Sequence, residues 1–154
     1  MQPRPGTYAI VMISSSDRWI QVGKLGRLHV RPGSYVYIGS AFGPGGLKAR
    51  IAHHMKISPH PHWHIDYLRS ILHLNKVWYT YDSKRLEHRW AATLSRLKGA
   101  SIPMTGFGAS DCSCNSHLFA LTAQPSIRSI RRRLYFHSKV YEYNFTNSPH
   151  RAIL

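Results

Sequence analysis

The sequence predicts a small α/β domain in which short strands alternate with helices, and three observations carry that prediction. The run Gly6 to Ser14 is short, apolar and rich in β-branched residues, the composition of a buried strand. Residues 35–39 alternate, with Tyr35, Tyr37 and Gly39 on one face and Val36 and Ile38 on the other. Gly39, Gly43, Pro44, Gly45 and Gly46 then end that strand, and from Leu47 the apolar period becomes helical through Ile51 and Met55. A chain of 154 residues with 43% hydrophobic content is long enough to bury a core and ordinary enough to be globular.

In chain order, Ser14 to Asp17 is a turn, and Arg18 to Val22 a strand that predicts a hairpin with the first. Gly23 and Gly26 break it, and Arg27 to Val30 is a brief extension before the Arg31-Pro32-Gly33 turn. The helix over 46–57 ends at Ser58-Pro59-His60-Pro61, because residues before proline leave the helical region. Residues 62–72 read as a helix with an Ile65, Leu68, Ile71, Leu72 stripe, and Lys76 to Tyr81 has strand composition. Ser83 predicts the cap of a helix over 84–98 that buries Leu86, Trp90, Leu94 and Leu97, with Gly99 as its stop. Residues 106–114 read as a loop, and His117 to Leu121 as a last strand. Ser126 to Arg133 reads as a short basic helix, 135–145 is rich in aromatics, and 146–154 is expected to be loose. The best join is at 122–125, dividing the chain into a domain over 1–121 and a basic, aromatic-rich extension over 122–154.

Lys and Arg number 21 against 6 Asp and Glu, a formal charge of +15 before any of the 11 histidines is protonated. Such an excess draws polyanions, and nucleic acid is the expected partner. No apolar run is long enough to cross a bilayer, so no membrane partner is expected. Met1 to Gly6 lacks a signal-peptide core, and Cys112 and Cys114 cannot build a disulfide framework, which makes the cytoplasm the expected compartment.

The candidate site residues each have a plainer reading. Tyr8 and Tyr37 are ordinary strand residues, or phenols aimed at one reacting phosphate. Gly45, Gly46 and Lys48, where the glycine-rich turn enters the helix, make a strand-to-helix turn or a phosphate contact. Arg50 and His54, four apart, share a helix face at the margin of the buried stripe; an arginine there can clamp a phosphate. Glu87 favours a helix start, or holds a divalent ion whose other ligands are mostly water. His62, Trp63 and His64 are a candidate nucleic-acid contact, with Trp63 stacking on a base. Arg128, Arg131, Arg132 and Arg133 are candidate phosphate contacts in the extension. His60, His62, His64, Cys112, Cys114 and His117 are residue types that bind zinc, but Cys-x-Cys-x-x-His lacks the paired Cys-x-x-Cys signature, so a structural role is the favoured reading.

Taken together these residues resemble the GIY-YIG nuclease family. Gly6-Thr7-Tyr8 stands where that family has Gly-Ile-Tyr, and Tyr37-Ile38-Gly39 matches its second motif. Leu47-x-x-Arg50, His54 and Glu87 match its catalytic arginine helix, the histidine one turn on and its metal-binding glutamate. The stretches Tyr-Ile-Gly-Ser-Ala, Gly-Pro-Gly-Gly-Leu, His-Trp-His-Ile-Asp-Tyr-Leu and Gly-Phe-Gly-Ala-Ser-Asp-Cys-Ser-Cys resemble the branch called DUF123, which also occurs fused to endonuclease III-type glycosylases. The resemblance runs over 6–121. It departs at Thr7, at Ser40 (where repair nucleases of the family have lysine) and in a longer loop at 42–46. It implies a central three-stranded antiparallel sheet flanked by helices, and a single Mg²⁺ or Mn²⁺ on Glu87. Tyr8, Tyr37, Arg50 and His54 would then be the catalytic groups. It also implies endonucleolytic hydrolysis of DNA, in preference to RNA, and an association with a DNA glycosylase in repair. A nucleic-acid-binding module without cleavage and a ribonuclease are the alternatives.

Overall fold

In the computed structural model, which describes residues 1–134 and 139–145, Gly6–Ser14 forms β1 near the middle of a six-stranded antiparallel sheet. The chain continues through β2 (Arg18–Val22), β3 (Gly26–Val30), β4 (Gly33–Ala41), α1 (Gly46–Met55), α2 (His64–Arg69), β5 (His73–Thr80) and α3 (Glu87–Ser95). It closes with β6 (Ala100–Ser101), β7 (Leu118–Leu121), α4 (Ile127–Leu134) and β8 (Tyr141–Asn144). The sheet order is β6-β7-β4-β1-β5-β8, and β2 and β3 form a separate two-stranded ribbon.

The mixed α/β class and antiparallel sheet are as expected, but the three-stranded sheet is corrected to six strands. The trio β4-β1-β5 is extended on one edge by β7 and β6 and on the other by β8. The expected hairpin between β1 and β2 is also corrected. Both edges of β1 are occupied, by β4 from Gly6 opposite Ala41 to Ser14 opposite Gly33, and by β5 from Thr7 opposite Thr80. With no free edge to offer, β1 leaves β2 to pair with β3.

Two apolar layers follow from the period of two along β1 and β4. Tyr8, Ile10, Met12, Tyr35 and Tyr37 face one way, into a layer completed by Leu47 and Ile51 of α1, Ile65 and Leu68 of α2, and Leu28 and Val30 of the ribbon. Ala9, Val11, Val36 and Ile38 face the other way, against Trp90 and Leu94 of α3 and Ile130 and Leu134 of α4. The sheet is thus sandwiched, with α1 and α2 on one face and α3 and α4 on the other.

The segment beyond 121 joins this architecture. Ile130, Leu134 and Val140 are buried in the second layer. β8 is fastened to β5 where the Trp78 indole donates to Glu142 over 2.7 Å, with Lys76 3.7 Å from the same carboxylate. The basic helix expected over 126–133 is α4, with Arg128 and Arg133 exposed; the side chains of Arg131 and Arg132, and all of 146–154, lie outside the described residues. Among the described residues no helix is long and apolar enough to cross a membrane.

Candidate active site

β1 begins and β4 ends at the same end of the sheet, so Tyr8 comes to lie opposite Gly39. The absence of a side chain at 39 matters, because a Cβ there would fall 2.4 Å from the Tyr8 hydroxyl oxygen and 2.6 Å from its Cζ. The Tyr-Ile-Gly run thereby makes room for the phenol of the Gly-Thr-Tyr run. α1 closes over this corner and brings His54, whose Nε2 is 2.8 Å from the Tyr8 oxygen. The rings of Tyr8, Tyr37 and His54 form a cluster, with centroids 5.5 to 6.5 Å apart. Arg69 of α2 fixes its base: the buried guanidinium donates from Nε to the His54 carbonyl over 2.7 Å and from Nη1 to the Leu72 carbonyl.

Burial sets the protonation states of this cluster. It raises the Tyr8 phenol well above its ordinary value; Tyr37 adds to the rise, and the Arg50 cation opposes it. Burial pushes Tyr37 up to about 12, again against the pull of Arg50. His54 is lowered to about 3 by burial first and then by the positive charges of Arg50 and His53. At neutral pH the phenols therefore keep their protons and His54 is neutral. Its Nδ1 is buried without a hydrogen-bond partner among the described residues.

Glu87 reaches the same corner from the opposite face of the sheet. Its helix does not start at Lys84 behind a Ser83 cap as expected. The Lys84 amide donates to the Asp82 carboxylate, and the Leu86 amide donates to the Thr7 hydroxyl over 3.0 Å, so helical bonding begins only at Glu87. Ser40 Oγ donates to Glu87 Oε1 over 3.2 Å and accepts from Arg85 Nη1 over 3.2 Å. The second carboxylate oxygen, Oε2, is buried with no protein partner among the described residues. Two of the departures from the resembled motifs act here: Thr7 fastens the Leu86 amide at the start of the helix, and Ser40 holds the Glu87 carboxylate. The sequence alone assigns neither a role; that both break a motif is the available signal.

Tyr8, Tyr37, Arg50, Ser40, Arg85 and Glu87 line one open cleft of about 590 Å³. The loop over 106–117 supplies its far wall, closed by Gly106 N–H to the Asn115 carbonyl and His117 N–H to the Phe107 carbonyl. The start of α2 supplies the rest. His62 is exposed at the rim. Trp63 carries the Arg50 guanidinium over its ring at 4.2 Å and meets His53 edge-on, so its surface is largely taken up within the chain. His64 accepts the Gly108 amide at Nδ1 over 2.9 Å, which ties the far wall to α2.

The glycine-rich turn borders this cleft, where Gly43, Pro44 and Gly46 line a second hollow with Arg50 and Trp63. Gly45 and Gly46 have positive φ of 76° and 52°, which side chains disfavour. The Gly46 amide donates to the Gly43 carbonyl and the Leu47 amide to that of Arg4, so two of the helix-start amides are already satisfied inside the chain. The turn's residues serve the connection between β4 and α1, and Lys48 is exposed beside it.

Among the described residues, two clusters of metal-ligating types lie close by. In the first, Asp66 Oδ2 accepts from the amides of His62 and Trp63, while Oδ1 faces His53. His54 Nε2 is held by Tyr8, so of this group the buried His54 Nδ1 is left without a partner among the described residues. The second joins His88 of α3 to Cys112, Cys114 and His117. The sequence does not group His88 with the cysteines, because 26 positions separate it from Cys114.

No curated protein and no solved structure matches this chain. Residues 7–139 match the family model described as Domain of unknown function DUF123, a span that takes in the cleft, the cysteine loop and α4. The chain belongs to the DUF123 family.

Proposed function

We propose that the protein is a metal-dependent endonuclease of the GIY-YIG type that hydrolyses phosphodiester bonds in DNA. The observation that carries this reading is the convergence of Tyr8, Tyr37, Arg50 and Glu87, from β1, β4, α1 and α3, on one cleft. Glu87 presents a buried carboxylate oxygen with no protein partner among the described residues, which fits a single Mg²⁺ or Mn²⁺. Such an ion, when bound, polarises a phosphate oxygen and makes a coordinated water more acidic.

The chain's own groups would act as follows. Arg50, half-buried and braced on Trp63, holds the scissile phosphate and stabilises the charge that builds on it. Tyr37, protonated, donates to a phosphate oxygen. Tyr8 orients the attacking water; its hydrogen bond to His54 offers the route by which a proton leaves. His54 is too weak a base for that in the free protein, and an anionic phosphate in the cleft raises its proton affinity. Ser40, itself bonded by Arg85, keeps the Glu87 carboxylate in place, and Thr7 holds the start of its helix.

The charge of +15, with Arg128 and Arg133 exposed on α4, supports a polyanionic substrate. The choice of DNA over RNA, and an association with a DNA glycosylase in repair, rest on the family resemblance. A second reading, binding without cleavage, draws on the same protonation states, because neither Tyr8 nor His54 is a ready base before substrate arrives. Incubation with plasmid, branched DNA and structured RNA in Mg²⁺ or Mn²⁺ separates these readings. DNA cleavage lost in Arg50→Ala is the expected result; binding to all three substrates without cleavage favours the module, and cleavage of RNA alone the ribonuclease.

A further inference from the structure

We infer that His88, Cys112, Cys114 and His117 form a closed tetrahedral zinc site that pins the wall of the cleft to the first turn of α3. The ligand atoms all lie within 4.8 Å of one another. Two contacts are closer: His88 Nδ1 is 3.2 Å from Cys114 Sγ, and Cys112 Sγ is 3.6 Å from His117 Nε2. Tetrahedral zinc with bonds of about 2.0 Å to nitrogen and 2.3 Å to sulfur places neighbouring ligands about 3.3–3.8 Å apart. Those two pairs are therefore already near the spacing of a zinc shell, and the others, within 4.8 Å, need only a small contraction to reach it. Both cysteines are free thiols, and the donor set is two sulfurs and two nitrogens, which suits zinc rather than the oxygen-seeking ions.

The fold also needs a fastening here. From 109 to 116 the loop offers Ala109 as a buried apolar side chain and otherwise serine, aspartate, asparagine and cysteine. Its backbone is held at its base, where Ile38 N–H donates to the His117 carbonyl over 2.9 Å. The contact between Cys114 and His88 joins its far part to α3. Four protein ligands leave no open position, so this zinc would be structural and distinct from any ion on Glu87. Because His88 follows Glu87 directly, the site would fix the carboxylate's helix start against the loop wall. Binding converts both thiols to thiolates and releases their two protons to solvent. The zinc site does not depend on the nuclease reading.

The test uses the full chain, without a histidine tag, purified under reducing conditions. Elemental analysis after exposure to zinc and desalting should find about one zinc per chain. The Cys112→Ser/Cys114→Ser double variant should hold none, and His88→Ala should release zinc to a chromophoric chelator at lower chelator concentration than the unaltered chain. Cobalt-loaded unaltered chain should show the intense visible bands of tetrahedral cobalt together with thiolate charge transfer. Absence of zinc from the unaltered chain, retention of zinc by the double variant, or the weak bands of octahedral cobalt would each overturn the proposal. The cobalt spectrum needs no variant, so it decides the matter even where the double variant fails to fold.

Discussion

Substitution of Gly39 by alanine tests the geometry of the corner with a single methyl group. The added Cβ would lie 2.4 Å from the Tyr8 hydroxyl oxygen and 2.6 Å from Cζ. The backbones cannot separate to relieve this, because Tyr8 and Gly39 are cross-strand partners inside a nine-residue ladder. The phenol cannot swing out either: Tyr8 is 1% exposed, enclosed by Tyr37, His54 and α1. Forcing a methyl into a filled core costs about 1–3 kcal/mol. Displacing the phenol also breaks its 2.8 Å bond to His54 Nε2, leaving a second buried ring nitrogen unpartnered at about 1–3 kcal/mol more. Urea unfolding should therefore show a loss of about 2–6 kcal/mol, a large share of the roughly 5–15 kcal/mol typical of a domain. Adding Tyr8→Phe should restore little, since the ring carbon nearest the methyl remains. A Gly39→Ala protein within about 0.5 kcal/mol of the unaltered chain would refute the placement of Tyr8.

Two further predictions concern the groups around this corner. Thr7→Val keeps the shape but leaves the buried Leu86 amide without its acceptor, so stability should fall by about 1–3 kcal/mol in denaturant titration, and cleavage should weaken with it as the start of α3 loosens. The depressed His54 value has a sign that acid unfolding can check. The folded imidazole binds its proton only near pH 3 whereas the unfolded one binds it near pH 6.5, so between those values the unfolded state holds more protons. That contribution is full above pH 6.5 and is lost as pH falls toward 3, at up to about 1.4 kcal/mol per pH unit. His54→Gln should flatten the stability profile in this window by about one proton, and an unchanged slope would place the titration elsewhere.

Much of the sandwich and of the corner was legible because both depend on local periodicity. The alternation in 35–39 assigns Tyr35 and Tyr37 to one apolar layer and Val36 and Ile38 to the other, as found. The spacing of four between Arg50 and His54 puts both toward the cleft corner, Arg50 lining it and His54 behind Tyr8. What was not legible depends on contacts distant in sequence. Nothing in Arg18–Val22 says that both edges of β1 are already taken, and nothing in 141–144 says that this stretch pairs with Lys76 to Tyr79. Ser83 has the chemistry of a helix cap, but the Leu86 amide is claimed by Thr7, seventy-nine positions away. The cysteines read as unpaired until the fold sets His88 beside them.

The central claim is that Glu87 carries the ion for phosphodiester cleavage. Single-turnover cleavage of a DNA substrate across a Mn²⁺ titration tests it most directly, comparing the unaltered chain with Glu87→Gln. That variant keeps an oxygen to accept from Ser40 and removes the charge. The account predicts a rate that rises to saturation with Mn²⁺ in the unaltered chain and falls by about 100-fold or more in the variant at the same concentration. A Glu87→Gln protein that cleaves at the unaltered rate with the same dependence on Mn²⁺ would contradict it.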